Sequence, residues 1–196
     1  MKKIMVALAL GAFLWGQAQY VLPAASPRVK TEQQFSISKI IVDYGRPGVK
    51  GRTVFGGLVP YGKVWRAGAN ASTKITFGQA VDFGGQEVSA GTYGLFIIPE
   101  EKEWTLVLNK DFQQWGAYAY DEKQDVVRVK VPVRRLDALQ EWFTIEVEPS
   151  GEHAVELVMA WERSSVGVSV KASGQPSVDR IVDKLKEIRQ IEREKK

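Results

Sequence analysis

The sequence predicts a mainly β protein: an antiparallel two-sheet β-sandwich followed by a C-terminal α-helix, with a jelly roll or a barrel-like closure as the alternative arrangement. Three observations lead to this fold class. Apolar residues between positions 19 and 171 alternate mostly with polar residues, which is typical of half-buried strands. Turn residues separate the alternating runs. No long amphipathic helix interrupts them, which disfavours a βαβ architecture.

Residues 1–18 are expected to be a signal peptide. Lys2 and Lys3 precede an apolar run at residues 4–15, and Gly16 and Ala18 are small residues of the kind that a signal peptidase accepts. The run is shorter than the roughly 20 residues of a spanning helix, so cleavage and export are favoured over a retained membrane anchor. The chain has no cysteine, which excludes lipid attachment, disulfides and thiolate chemistry.

The predicted domain covers residues 19–171, and its clearest strands lie in the second half. Alternating apolar residues run from 127 to 133, from 143 to 147 and from 155 to 161. Turn signals at 84–85, 99–102 and 149–152 indicate hairpins. Residues 91–99 are apolar on both faces, which predicts a central strand whose outer side is covered by a loop or by the final helix.

Residues 172–176 are a predicted linker, and residues 177–196 a predicted amphipathic helix with Ser177 as its N-cap. The apolar residues of one helical face are Val178, Ile181, Val182, Leu185, Ile188 and Ile191. The helix is expected to dock on its own domain or on a second copy of the chain, although two heptads are marginal for association. A membrane surface is disfavoured because the polar face mixes both charge signs.

The formal net charge of +4 is unevenly distributed along the chain. Within residues 19–171, 18 Lys and Arg residues balance 18 Asp and Glu residues, so the predicted domain is neutral. In residues 43–74, by contrast, Asp43 is the one acidic residue among six basic ones, which are Arg46, Lys50, Arg52, Lys63, Arg66 and Lys74. A neutral exported domain disfavours nucleic acid as a partner.

This basic segment is also rich in glycine, and we interpret it as a candidate anion site. Glycine frees backbone amides, and arginine side chains beside them suit carboxylates, phosphates or acidic sugars. The alternative is that the basic side chains pin a long loop to carboxylates such as Asp121, Asp125 and Glu141. The candidate ligand-binding residues of the segment are Asp43, Tyr44, Arg46, Arg52, Trp65, Arg66 and Asn70.

A second candidate feature is the aromatic segment at residues 115–121. Tyr118 and Tyr120 are expected to share a strand face, with alanines leaving room above their rings. With Trp65 and Trp104 they form a predicted stacking platform for a sugar or a peptide, unless these aromatic residues belong to the core. This segment adds Trp115, Tyr118 and Asp121 to the candidate ligand-binding residues.

Recognisable catalytic chemistry is scarce in this sequence, so a binding function is favoured over an enzymatic one. The single histidine, His153, lies beside a predicted turn and is expected to be solvated. Neither a Gly-x-Ser-x-Gly elbow nor a phosphate-loop or dinucleotide fingerprint occurs, and we expect no metal site and no cofactor. An envelope-polymer hydrolase or lyase that uses Asp43, Asp121 or Glu141 as acid or base is the enzymatic alternative.

Several long motifs resemble a known family. They are DYGRPGVKGR at 43–52, FGGLVPYGKVWRAGAN at 55–70 and AGTYGLFIIP at 90–99, with Ser26-Pro27 before them and Trp115-Gly116, Asp125 and Trp161-Glu162 after them. The chain is similar, over roughly residues 26–170, to the family known as domain of unknown function 2911. That resemblance implies one exported β-rich domain of a Gram-negative bacterium, in the periplasm or at the cell surface. It implies no established activity and therefore no catalytic residues.

Three functions are consistent with the sequence. The first is a domain that binds a small anion or an acidic glycan fragment between residues 43–70 and residues 115–121. The second is the hydrolase described above. The third is a structural domain without a small-molecule ligand, which associates with copies of itself through the C-terminal helix.

Overall fold

Residues 22–195 are described by a computed structural model, so the predicted signal peptide lies outside the described residues. Ten strands, a short 3-10 helix and an α-helix follow one another in this part of the chain. The strands are β1 (Arg28–Phe35), β2 (Ser38–Gly45), β3 (Thr73–Phe77), β4 (Val81–Phe83), β5 (Gln86–Val88), β6 (Gly91–Pro99), β7 (Glu103–Asn109), β8 (Asp125–Pro132), β9 (Arg134–Gly151) and β10 (Ala154–Ala172). The 3-10 helix is Glu122–Gln124, and helix α1 is Gln175–Glu194.

The strands form two antiparallel sheets. One has six strands in the order β1-β2-β3-β6-β7-β8, and the other has four in the order β5-β4-β10-β9. Both sheets are open, with β1 and β8 at the edges of the larger and β5 and β9 at the edges of the smaller. The predicted β-sandwich with a C-terminal helix is therefore confirmed, and the described residues form no closed barrel.

Alternating burial along the strands explains why they pack as two layers. On β10, Val155, Leu157, Met159 and Trp161 are buried, and the residues between them are more exposed. The pairing of β10 with β9 shifts register between Ala160 and Glu162, and Glu162 has a φ of +56°. This irregularity bends the long hairpin at Trp161, next to the loop that follows β2.

The central position predicted for residues 91–99 is confirmed. Strand β6 lies between β3 and β7, and Phe96 on its outer face is fully buried. The ring of Tyr120 covers Phe96 at a centroid distance of 5.1 Å. Gly94 allows the loop after β7 to lie this close to β6, because a Cβ atom at position 94 would be 2.8 Å from the carbonyl oxygen of Asp111. The covering element is thus the loop after β7.

Helix α1 begins at Gln175, two residues before the predicted N-cap Ser177, because Gly174 adopts a left-handed conformation with a φ of +69°. Its first turn packs on the sandwich through Val178, which is 7% exposed, and Val182 in the next turn is partly buried against the same core. Beyond this turn, the apolar side chains Ile181, Leu185, Ile188 and Ile191 are between 46% and 52% exposed. Among residues 22–195, no helix has the length and hydropathy needed to cross a bilayer.

The expectation of a solvated His153 is wrong. Its side chain is 9% exposed, with Nδ1 3.0 Å from Ser36 Oγ and Nε2 3.1 Å from Asp179 Oδ1. The turn between β9 and β10 packs against the turn between β1 and β2 and against the start of α1. His153 therefore joins three segments that are distant in sequence.

Candidate functional site

The basic, glycine-rich segment is an ordered loop between β2 and β3. Its backbone pairs with two strands: Val49 N donates to Glu141 O on β9 at 2.8 Å, and Trp65 forms hydrogen bonds of 2.7 and 2.8 Å with Ile97 on β6. These bonds satisfy backbone groups that a loose loop would leave to water. The loop is therefore fixed relative to both sheets.

The side chain of Trp65 forms the floor of a cavity in this loop. It is 7% exposed and stacks on Trp161 with a centroid distance of 5.5 Å and an interplanar angle of 19°. Its indole Nε1 donates to Gly68 O at 3.0 Å. Trp65 and Trp104, which is 1% exposed, are core residues, so their predicted place on an exposed stacking platform is wrong.

The cavity above Trp65 has a volume of about 270 Å³. Its lining combines apolar residues with two arginines and two neutral polar residues. The lining residues are Ser26, Pro47, Arg52, Leu58, Val59, Trp65, Arg66, Gly68, Ala69, Asn70 and Trp161. No Asp or Glu of residues 22–195 is among them, so the cavity has a positive charge and no negative one of its own.

Arg66 is the unusual residue of this cavity. Its Nε is buried and has no hydrogen-bond partner among the described residues. Burial lowers the pKa of the Arg66 guanidinium from its ordinary value, and the nearby Tyr118 opposes this effect. No carboxylate of the described chain contributes to that pKa. The fold thus holds a half-buried guanidinium at a cavity wall, with a buried Nε that has no partner in the described chain.

The other two candidate arginines are used by the fold. Arg52 donates from Nε to Val49 O at 3.0 Å and from Nη2 to Gly48 O at 2.7 Å. Arg46 donates from Nε to Phe143 O at 3.2 Å. The alternative interpretation, that basic residues pin the loop, therefore holds for these two, although their partners are backbone carbonyls rather than carboxylates.

Three candidate residues, Asp43 and Tyr44 on β2 and Asp121 at the 3-10 helix, lie outside the cavity lining. Asp43 is on the outer surface of β2, where Oδ1 is 2.6 Å from Arg28 Nε. Tyr44 is buried, and its hydroxyl accepts a bond of 3.0 Å from Ile145 N. Burial raises the pKa of Tyr44. Asp121 caps the 3-10 helix by accepting a bond from Lys123 N at 3.0 Å.

Asn70 connects the cavity to the aromatic segment. It lines the cavity with a φ of +64°, and its carbonyl accepts a bond of 3.1 Å from Gly116 N. Trp115, which pairs with Ala71, is 67% exposed, and Tyr118 is 90% exposed. The structure therefore brings six candidates into one region, which are Arg52, Trp65, Arg66, Asn70, Trp115 and Tyr118.

The sequence of this folded region matches one family. Residues 26–170 match the family described as "Protein of unknown function (DUF2911)". The chain belongs to the DUF2911 family. The matched region begins just before β1 and ends within β10, so the DUF2911 domain includes both sheets and the whole cavity lining, and α1 lies outside it. No curated protein and no solved structure matches the chain.

The aromatic segment of the DUF2911 domain is built differently from the expectation. Residues 116–119 form a turn rather than a strand, so Tyr118 and Tyr120 do not share a strand face. Tyr120 points inward, where its hydroxyl donates to Asp125 Oδ2 at 2.6 Å and accepts from Arg128 Nη2 at 3.0 Å. Burial and the bond to Asp125 raise the pKa of Tyr120 to about 12, although the bond from Arg128 acts in the opposite direction.

Sequence reasoning missed part of the DUF2911 site. Ser26, Leu58, Val59 and Trp161 line the cavity but were not among the candidate residues. All four lie in the motifs quoted for the family resemblance, and that was the one signal that could have pointed to them. The carboxylates suggested for catalysis are not in the lining. Glu141 accepts a bond from Lys50 N at 3.0 Å, and Asp43 and Asp121 have the partners described above. Residues 22–195 contain no cluster of three or more side chains suited to a metal ion.

Proposed function

We propose that this DUF2911 protein is an exported binding domain that takes a small anion or an acidic glycan fragment into the cavity beside Arg66. The observation that carries this proposal is the buried Nε of Arg66, which lacks a partner within the described chain. A buried donor without a partner costs free energy, and an anionic ligand offsets that cost by supplying an acceptor and a counter-charge. A charge-assisted bond of this kind is stronger than a neutral one.

The shape and lining of the cavity support a compact ligand with one carboxylate or a similar anionic group. A volume of about 270 Å³ suits a group smaller than a drug-sized molecule. Asn70 and Ser26 offer neutral polar groups for a second contact, and the largely buried Trp65 and Trp161 add apolar atoms to the lining. Because no Asp or Glu of the described residues lines the cavity, binding is favoured over acid–base hydrolysis there.

Titration calorimetry at constant ionic strength tests the proposal. Acetate, phosphate and glucuronate are titrated into the wild-type protein, Arg66→Met and Arg134→Met. Arg134 is a matched control, since it is an exposed arginine outside the cavity lining. We expect at least one anion to bind the wild type and the control equally and to bind Arg66→Met at least about tenfold more weakly. Equal binding to all three proteins, or to none, would contradict the proposed function.

We further propose that the protein acts in the periplasm or at the cell surface. The basic, apolar and small residues of positions 1–18 support export. The resemblance to the DUF2911 family also implies an exported domain. N-terminal sequencing of the protein from fractionated Gram-negative cells tests this. We expect a mature chain that starts near Gln19 in the periplasmic or surface fraction. An uncleaved chain in the cytoplasm would contradict it.

Self-association through α1 is the second candidate, because four apolar side chains of α1 are about half exposed beyond its docked first turn. The occupant of that face would be a second copy of the chain. Light scattering on the full chain and on a chain that ends at Pro176 distinguishes the outcomes. A mass that falls from dimer to monomer supports association, and a monomer in both cases refutes it.

A further inference from the structure

Two aromatic rings stand in solvent beside the cavity. Trp115 is 67% exposed and Tyr118 is 90% exposed, whereas Trp65, Trp104 and Trp161 are each at most 7% exposed. Large aromatic side chains usually gain free energy by burial, so rings left in water at a cavity rim indicate a contact that the isolated chain does not make.

The loop that carries these rings is firmly attached to the fold. Gly116 N is bonded to Asn70 O at 3.1 Å, and Ser72 N to Gln114 O at 3.0 Å. At the other end, Tyr120 is bonded to Asp125 Oδ2 at 2.6 Å. The exposure of the rings is therefore a property of an anchored loop, whose backbone is in place before any ligand arrives.

Glycine at position 116 helps to set the position of the Tyr118 ring. Gly116 has a φ of +72°, and a Cβ atom there would lie 2.7 Å from the ring of Tyr118. The ring thus rests beside a backbone that has no side chain. Ala117 and Ala119 flank it with small side chains, so a flat aromatic face stays uncovered.

The rings lie next to the charged part of the cavity. Tyr118 is close enough to influence the pKa of Arg66, and Asn70 both lines the cavity and bonds to the aromatic loop. A ligand whose anionic group meets Arg66 therefore reaches the aromatic rim through its remaining atoms. An inorganic anion is too small to use both features.

A sugar ring fits this pairing better than a protein surface does. A pyranose has an apolar C–H face that stacks on an aromatic ring and a polar edge that needs hydrogen-bond partners, which the exposed Asn70 offers. Protein hot spots, in contrast, cluster near the centre of a large, well-packed interface. Here the two exposed rings lie instead at the rim of a cavity of about 270 Å³ that two arginines line.

We infer that the ligand of this site is a carboxylate-bearing sugar, such as a hexuronic acid residue of a glycan, whose carboxylate meets Arg66 and whose ring stacks on Trp115 or Tyr118. The inference rests on the proposed anion-binding function and adds the ligand class to it. Arg66 supplies charge recognition, and the aromatic rim supplies selectivity for a ring.

Calorimetry with three matched probes tests the inference: glucuronate has both the ring and the charge, glucose has the ring alone, and acetate has the charge alone. We expect wild-type protein to bind glucuronate at least about tenfold more tightly than acetate, and glucose more weakly than either. Trp115→Ala or Tyr118→Ala should lower the affinity for glucuronate about tenfold and leave that for acetate unchanged. Trp115→Phe and Tyr118→Phe keep an aromatic face and serve as controls.

The outcomes separate this inference from the proposed function. Two results would overturn the sugar assignment while anion binding stands. In the first, acetate binding depends on Arg66 but glucuronate binds no better than acetate. In the second, both alanine variants bind glucuronate as the wild type does. An acidic tripeptide that binds more tightly than glucuronate and loses affinity in the same alanine variants would also overturn it. If no probe depends on Arg66, the proposed function itself fails. Unchanged melting temperatures of the variants confirm that the exposed rings do not support the fold.

Discussion

Removing the charge of Arg66 is expected to stabilise the protein in the absence of ligand. The variant Arg66→Met keeps most of the aliphatic side chain and removes the guanidinium. The matched variant is Arg52→Met, because Arg52 belongs to the same loop and lines the same cavity. The two arginines differ in their partners, and this difference predicts opposite effects on stability.

For Arg66 the structure gives a free-energy cost without a compensating bond. Its Nε is buried and without a partner within the described residues, and burial lowers the pKa of the guanidinium. An unsatisfied buried polar group costs about 1–3 kcal/mol. Because part of the guanidinium reaches the cavity, we take the lower end. Arg66→Met should raise the free energy of unfolding by about 1 kcal/mol.

For Arg52 the same substitution removes two hydrogen bonds. Nη2 donates to Gly48 O at 2.7 Å, and Nε donates to Val49 O at 3.0 Å. Hydrogen bonds from charged groups contribute about 1.5–3 kcal/mol each, with less at a solvent-exposed site. In Arg52→Met, Val49 O still accepts the hydrogen bond from the backbone N of residue 52, so this carbonyl loses only one of its two bonds. Arg52→Met should lower the free energy of unfolding by about 2 kcal/mol.

Urea unfolding followed by tryptophan fluorescence measures both free energies, in Tris buffer free of phosphate, sulfate and carboxylates. In thermal melts in the same buffer, Arg66→Met should unfold about 3 °C above the wild type and Arg52→Met about 6 °C below it. A saturating anion should reverse the order of wild type and Arg66→Met, since it binds only the former tightly. If Arg66→Met loses as much stability as Arg52→Met, Arg66 is a structural anchor and the reasoning is refuted.

Two further predictions concern the supports around the site and the helix. The raised pKa of Tyr120, about 12, lies above the ordinary value near 10, so its contribution to stability is complete below pH 10 and is lost as pH rises toward 12. Alkaline urea titrations should therefore show a shallower decline for Tyr120→Phe than for wild type, and identical slopes would refute this. Asp179→Ala should remove the contact with His153 and speed amide exchange in the first turns of α1, whereas Asp183→Ala, an exposed change on the same helix, should not. Equal exchange in both variants would contradict the role of Asp179.

The sandwich was predictable because its signal is local. Strands such as β10 alternate buried and exposed side chains over many residues, and the hairpin turn at Gly84 and Gly85 carries residues that tolerate positive φ. The concentration of basic residues in one loop was also visible, since charge counts need no three-dimensional information. Both features follow from residue order alone.

The roles of individual residues in that loop were not predictable in the same way. The sequence does not distinguish the roles of Arg46, Arg52 and Arg66. In the structure, Arg46 and Arg52 donate to backbone carbonyls, whereas Arg66 has a buried Nε without a partner in the described chain. The difference depends on which carbonyls lie near each side chain: Phe143 O of β9 for Arg46, and Gly48 O and Val49 O of the loop itself for Arg52. Tyr118 and Tyr120 diverge for a similar reason, because a turn replaces the expected strand.

The position of the loop also explains why a cavity can persist beside an unpaired charge. Strand β3 pairs with β6 only as far as Leu95, and Trp65 takes the next position on that side of β6 by pairing with Ile97. Arg66 thus directly follows a residue that is paired with β6 in the interior of the larger sheet, and it does not lie at a free loop tip. Rearrangement that brings a carboxylate to Arg66 would have to break this pairing and the stacking of Trp65 on Trp161. The fold therefore keeps the carboxylates of the described chain out of the cavity beside Arg66, which is what the proposed anion binding requires.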